Sequence, residues 1–295
     1  MKNNNKLIKR VCFSDVDGTI YGFPNKELKN EVVNSVRKAK EENDVEFVIT
    51  TGNPANEKIK KLAKIMGSRY ISTAGGASVF DLEKDDYIHL ELMDKKEAQK
   101  IFDLSKKHPD FVHLYYFGKH QFYLYNPSKE MEEFLSEFCE YYDWNKSGEI
   151  NQDLHKIELF GTSDEIKKAY EELKKLKLKL KVIYFGTHIE ITPKGVDKGY
   201  GLKWICENIF NCNFDYVMSI GDSENDIAMF EASGYSYAMD NAKEIAKKAA
   251  KYYTSDVEQN GLGEAINDYI FRTHLLLEKQ NLEQKLDKQK AKRKY

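Results

Sequence analysis

The sequence predicts an α/β protein, a doubly wound, mainly parallel sheet with an antiparallel α+β segment inserted into it. Three observations carry this expectation. Short apolar runs bounded by turn residues recur, and stretches with helical spacing separate them. From about residue 84 to 188 the pattern changes to hairpins and amphipathic helices. The first apolar run also ends in Ser14-Asp15-Val16-Asp17-Gly18-Thr19, two carboxylates two residues apart just before a glycine.

Taken in order, Val11–Phe13 reads as the first buried strand, and residues 27–42 as a helix with Leu28, Val32, Val33, Val36 and Ala39 on one face. Val45–Thr50 and Tyr70–Ser72 read as the second and third strands. In the middle, His113–Phe117 and Gln121–Tyr125 flank a turn containing Gly118. Then come Glu130–Tyr142, Lys156–Phe160, Ser163–Leu178 and Val182–Thr192, a mixture of hairpin strands and amphipathic helices. A helix opening at Lys198 runs to about Ile209, and Tyr216–Ile220, Ser236–Met239 and Tyr252–Thr254 complete the parallel set. The expected division is a discontinuous core over 1–83 and 189–271, an inserted domain over 84–188, and a charged helical tail over 272–295.

The composition excludes several classes. Of 295 residues, 41% are hydrophobic and 32% charged, as in a soluble globular chain. A net charge of −2 argues against nucleic acid as a partner. No run approaches the ~20 apolar residues that span a bilayer, and the basic N-terminus lacks the apolar stretch of a signal peptide. Cys12, Cys139, Cys206 and Cys212 are scattered, which disfavours a zinc site and suggests reduced thiols in a cytoplasm.

Side chains at i and i+2 of an extended segment share a side, so Asp15 and Asp17 can face one small volume. Crowded carboxylates repel unless a cation or a shared proton intervenes. The pair therefore suggests a hard metal ion, or a nucleophile beside an acid/base; an Asp-Gly turn after a strand is the alternative on this motif alone. Thr50-Thr51-Gly52-Asn53-Pro54 closes the second strand, with Asn53 placed to cap a helix and Pro54 to open it. Capping leaves Thr51 unexplained, at a corner suited to anions. Lys198, in the first turn of its helix, opposes the macrodipole and either stays solvated or reaches an anion. In Gly221-Asp222-Ser223-Glu224-Asn225-Asp226, a capping-box reading covers Ser223 and part of Asp226 but leaves Asp222 over, an acid at a strand's carboxyl end like Asp15.

Together, Asp-Val-Asp-Gly-Thr, Thr-Thr-Gly, the late lysine and Gly-Asp-Ser-Glu-Asn-Asp resemble the haloacid dehalogenase (HAD) superfamily, in its Cof-type or IIB branch. Ala238-Met239-Asp240-Asn241-Ala242 and Asn260-Gly261-Leu262 look like that branch's closing segments. The resemblance covers about residues 8–270 and implies a Rossmann-like core with a C2B-type α+β cap. It implies Asp15 as a nucleophile that forms an aspartyl-phosphate, and Asp17 as the acid/base. Thr51, Gly52, Lys198 and Asn225 would bind the phosphate. Mg²⁺ would be held by Asp15, Asp222 and the Asp17 carbonyl, with Asp226 in support. The implied activity is hydrolysis of small phosphorylated metabolites, sugar phosphates above all. Two departures stand out: Asn53 where the family usually has arginine, and Gly75-Gly76-Ala77 where it usually has Asn-Gly-Ala.

A phosphosugar mutase is the alternative on the same scaffold, but it calls for arginines in the cap and residues 84–188 contain none. An idle binding module docking through the tail is a further alternative, disfavoured by the intact motif positions. His113, Tyr115, His120, Tyr123, Lys156, Glu158 and His188 are the polar and aromatic candidates for substrate contact in the insert, and spacing does not choose among them.

Overall fold

A computed structural model describes residues 9–22, 27–119, 121–137, 144–146 and 153–292; Cys139, His120 and the ends of the chain lie outside that set. The chain begins β1 (Arg10–Ser14), α1 (Asn30–Asn43), β2 (Val45–Thr50), α2 (Glu57–Met66), β3 (Tyr70–Thr73), β4 (Ser78–Asp81) and β5 (Asp86–Leu90). It continues with α3 (Lys95–Lys107), β6 (His113–Gly118), β7 (Phe122–Tyr125), α4 (Lys129–Glu137), β8 (Trp144–Lys146) and β9 (Leu154–Phe160). Next are α5 (Ser163–Lys175), β10 (Leu180–Tyr184), β11 (His188–Pro193), α6 (Lys198–Ile205) and β12 (Met218–Gly221). Last come α7 (Ile227–Ala232), β13 (Tyr235–Ala238), α8 (Glu244–Ala249), β14 (Tyr252–Tyr253) and α9 (Gly261–Lys292). The fold is the mixed α/β class with a parallel sheet that the strand–helix alternation predicts.

The elements group into two units. The first comprises Met1–Ile49, Ile65–Ser68 and Leu202–Tyr295. Its strands lie in the order β14-β13-β12-β1-β2, parallel throughout. Phe13 sits between Ser219 of β12 and Val48 of β2. β1 is buried along its whole length, as a continuous apolar strand covered on both faces must be. Val32, Val36 and Ala39 form the buried stripe of α1. Arg10 anchors α9 from the opposite end of the chain: its guanidinium donates to Thr273 Oγ1 (2.9 Å), the Ile270 carbonyl (3.2 Å) and the Asn43 carbonyl (3.0 Å).

Several boundaries differ from those read off the sequence. Asn213 caps a tight turn at Phe214–Tyr216, so β12 starts at Met218 rather than Tyr216. The helix opened by Lys198 widens into a π turn at Cys206–Phe210 and stops at Asn211, which takes the left-handed φ of 47°.

The second unit comprises Thr50–Lys64 and Arg69–Gly201. It holds the antiparallel run β3-β4-β5 and a six-stranded sheet ordered β10-β11-β9-β6-β7-β8, antiparallel except between β7 and β8. The hairpin expected around Gly118 is present, closed by Gly118 N–H donating to the Gln121 carbonyl at 2.9 Å. Strand periodicity sorts the sheet's two faces. Leu114, Tyr116, Ile157, Leu159, Ile189 and Ile191 pack with Ile101 and Phe102 of α3 and Ile166 of α5. Tyr115, Phe117 and Phe160 join a second cluster with Ala74, Ala77 and Val196. Asp94 and Thr162 cap α3 and α5, the latter through a capping box with Glu165.

Candidate active site

In the first unit, the carboxyl ends of β1 and β12 meet. Asp15 N–H donates to the Ile220 carbonyl at 3.0 Å, which fixes the level at which the chain leaves β1. It then turns back on itself, with Ile20 N–H on the Val16 carbonyl (2.9 Å) and Gly18 N–H on the Tyr21 carbonyl (2.8 Å). Gly18 has φ 83°, and a Cβ there would lie 2.5 Å from Asp222 Oδ2, so only glycine permits both the turn and the approach of Asp222. Asn241 clamps the turn: its Nδ2 donates to the Gly18 carbonyl (2.8 Å) while its Oδ1 accepts from Val257 N–H (3.0 Å).

The loop after β12 is shaped by Asp226, fully buried, whose Oδ2 accepts the N–H groups of Asp222 and Ser223, each at 2.9 Å. The capping reading of this segment therefore describes its structure, and the same bonds set the position of Asp222. Asp222 is also held through its carbonyl, which accepts Lys243 N–H at 2.9 Å. Asn225 lies within this turn, its Oδ1 accepting from Ser223 Oγ at 2.9 Å.

Asp15, Asp222 and Asp226 each offer a carboxylate oxygen within 4.8 Å of the others. The donor set is all hard oxygen and largely shielded from solvent, which suits a hard dication such as Mg²⁺ and would be strongly self-repelling without one. Asp226 thus joins the group to which its capping role also contributes. The carboxylate of Asp17 stands outside the group.

In the second unit, Thr51 and Gly52 form the turn that follows β2. Thr51 N–H donates to the Ser72 carbonyl (2.9 Å), and its own carbonyl accepts Gly75 N–H (3.0 Å). Its hydroxyl accepts Asn53 N–H at 3.1 Å, which leaves the hydroxyl proton to be donated elsewhere. Asn53 does not start a helix. Its carbonyl is tied to Ala74 N–H (2.9 Å), and α2 begins only at Glu57, capped by Asn56 Oδ1 on Ile59 N–H (2.9 Å). Lys198, 2% exposed, opens α6 as expected. Asp197 caps that helix on Tyr200 N–H (2.8 Å) and pairs with Lys181. The Gly75-Gly76 turn lies against this helix start, since a Cβ on Gly76 would lie 2.0 Å from the Asp197 carbonyl oxygen.

Of the candidates in the insert, His113 Nδ1 is bonded to the Asn126 carbonyl (2.6 Å), Tyr123 donates to Gln121 (2.6 Å), and Tyr115 packs on Phe117. His188 stacks between Phe160 and Phe185. Lys156 and Glu158 instead belong to a buried ionic cluster whose third member, Glu190, sequence reading missed. Glu158 and Glu190 face each other across β9 and β11, and Lys156 Nζ lies 2.5 Å from Glu158 Oε1 and 2.8 Å from Glu190 Oε1. Burial and the neighbouring Glu190 push the Glu158 carboxyl up to about 7, against the pull of Lys156. Burial acts on Glu190 in the same sense, but Lys156, His188 and Lys198 outweigh it and hold that carboxyl below its usual range. Lys156 is raised, because its two carboxylates outweigh its burial. The available signal was polar residues alternating with apolar ones in Lys156-Ile157-Glu158 and Ile189-Glu190-Ile191.

The family model for haloacid dehalogenase-like hydrolases matches residues 12–266. The chain belongs to that family. Among curated relatives, the 5-amino-6-(5-phospho-D-ribitylamino)uracil phosphatase YcsE of Bacillus subtilis is 27% identical, over 87% of this chain and 94% of that protein. A phosphoglycolate phosphatase of Methanobrevibacter smithii is 26% identical, over 87% and 96%. Among solved structures, the HAD subclass IIB sugar phosphatase BT4131 superposes with a TM-score of 0.77 at 20% identity, over 88% of this chain and 99% of that one. TM0651 of Thermotoga maritima does so at 0.73 and 25%, over 88% and 97%. This HAD-like hydrolase is a phosphatase. Among the described residues no helix is long and apolar enough to cross a membrane.

Proposed function

We propose that the chain is a Mg²⁺-dependent phosphohydrolase of small phosphorylated metabolites, sugar phosphates in particular, working through an aspartyl-phosphate on Asp15. The observation that carries the reading is the group Asp15, Asp222 and Asp226 at the ends of two adjacent parallel strands, with Asp17 two residues beyond the first. Asp15 and Asp222, with the Asp17 carbonyl, would hold the cation, and Asp226 would keep the Asp222 loop in place. Bound there, the cation supplies charge neutralisation for a phosphate dianion.

In the first half-reaction an Asp15 carboxylate oxygen attacks phosphorus, the bond from phosphorus to the ester oxygen breaks, and Asp17 gives that oxygen its proton. In the second, water attacks the aspartyl-phosphate, Asp17 takes a proton back, and the Asp15 carboxylate is regenerated as phosphate leaves. Thr51, Gly52 and Asn225 bind phosphate oxygens and Lys198 balances their charge. Residues 84–188 act as the cap that selects the leaving group. The substrates in the relatives' names, a phosphoribityl compound and phosphoglycolate, support a small phosphomonoester as the class.

Hydrolysis of p-nitrophenyl phosphate with and without Mg²⁺, followed by a panel of phosphorylated metabolites, tests this. Asp15→Asn is expected to lower kcat by about 10³-fold or more, as for removal of a covalent nucleophile. Acid quenching with ³²P-labelled substrate should leave label on the wild-type chain and none on the variant. Turnover that survives in Asp15→Asn, or that EDTA leaves intact, overturns the respective assignment.

A further inference from the structure

The ammonium of Lys156 has three N–H groups. Each is spent on the protein: on Glu158 Oε1 at 2.5 Å, on Glu190 Oε1 at 2.8 Å, and on the backbone carbonyl of Gly52 at 2.8 Å. Lys156 is fully buried, and the two glutamates are 6% exposed. Glu190 closes on the same turn from beside it, because a Cβ at position 52 would lie 2.7 Å from Glu190 Oε1. Phe117 lies 5.5 Å from Lys156 Nζ, and Tyr115 is the cross-strand neighbour of Glu158.

A cluster of this kind is a poor device for stability alone. Taking three charges out of water is costly, and apolar side chains of the same size usually hold a fold as well or better. What the cluster does provide is direction. An ammonium fixed by two carboxylates on paired strands aims its remaining N–H at one carbonyl, and that carbonyl shares its peptide group with the Asn53 N–H that donates to the Thr51 hydroxyl.

We propose that Lys156 is a positioning residue of the phosphatase site: clamped by Glu158 and Glu190, it holds the Gly52 carbonyl and so sets the Thr51 hydroxyl where it meets the phosphoryl group. The proposal rests on the reading of Thr51 as a phosphate-binding residue. With every N–H already used, Lys156 has none left for the substrate, so its effect falls on kcat rather than on KM.

A double-mutant cycle in p-nitrophenyl phosphate hydrolysis with Mg²⁺ tests it, using Thr51→Ala, Lys156→Gln and the pair. Lys156→Gln alone should lower kcat by about tenfold or more and move KM by less than about twofold, the pattern of a lost transition-state interaction. In the Thr51→Ala background the same change should cost less than about twofold, because residues acting through one contact are non-additive. Equal losses in both backgrounds, an effect on KM alone, or full activity in Lys156→Gln overturns the proposal and leaves the Thr51 assignment standing. Full activity in Thr51→Ala overturns that assignment and the proposal together. Should Lys156→Gln fail to fold, Glu158→Gln keeps the volume and an acceptor while removing one clamp charge. A several-fold loss of kcat, again absorbed by Thr51→Ala, is expected there, and an additive loss or none overturns the proposal.

Discussion

His155 is fully buried, and neither ring nitrogen makes a hydrogen bond among the described residues. Its ring packs at 5.9 Å from Phe117 and 6.2 Å from Tyr87, centroid to centroid. Burial, with Lys156 next in sequence, depresses the imidazole to about 3. An unfolded histidine takes its proton near 6.5, so between those values the unfolded chain binds more protons and stability falls as pH drops. Glu158 acts with the opposite sign. Its folded value of about 7 lies above the ordinary 4.5, so its contribution is full below 4.5 and is lost as pH rises through 7. His155→Phe should therefore raise stability at pH 7 by about 1 kcal/mol, through loss of an unsatisfied buried polar group, and weaken the acid slope. Glu158→Gln should flatten the decline between pH 4.5 and 7. Urea titrations at pH 5, 6 and 7 check both, and an unchanged slope in either variant refutes the corresponding assignment.

Turns and helix starts are where the sequence was only partly readable. Asn53-Pro54 carries the local signature of a helix entry, yet the backbone of Asn53 is drawn to Ala74 and the start passes to Asn56. That competition is tertiary, and no local pattern reports it. Asn56→Ala should cost about 1 kcal/mol, as for loss of an N-cap. The glycine pair after β3 is a stronger case. Gly76 has φ 95° and no room for a Cβ against the Asp197 carbonyl oxygen, so Gly76→Ala should destabilise by about 2–4 kcal/mol through strain and overpacking. A thermal melt of each variant measures these costs, and a wild-type midpoint for Gly76→Ala would contradict the close approach.

Across the whole chain, the parallel strands were legible because each is a short apolar run ending in turn residues, and Asp15, Asp17 and Asp222 because they sit where such strands end. The Lys156–Glu158–Glu190 cluster was not, because it depends on the register that sets Glu158 opposite Glu190, which spacing along one strand does not encode. The C-terminal helix divides in the same way. Tyr269 and Thr273 are fully buried, whereas Leu275, Leu282 and Leu286 are 74, 59 and 45% exposed. Ending the chain after Glu278 should leave the melting midpoint within about 2 °C and kcat unchanged, since exposed positions contribute little. Ending it before Tyr269 should prevent folding of the first unit. Differential scanning calorimetry of the two truncations separates these outcomes.

The bond from Asn241 to the Gly18 carbonyl, with Asp222 beside that glycine, also bears on biosynthesis. β1 leaves the ribosome before β12 and Asn241, which complete its surroundings. An N-terminal fragment carries Asp15 without Asp222, Asp226 or the clamp, so the group of three carboxylates is incomplete until those residues have been made. Contacts this distant in sequence also carry a loop-closure cost in refolding, so the return of activity reports that this long-range pairing has formed.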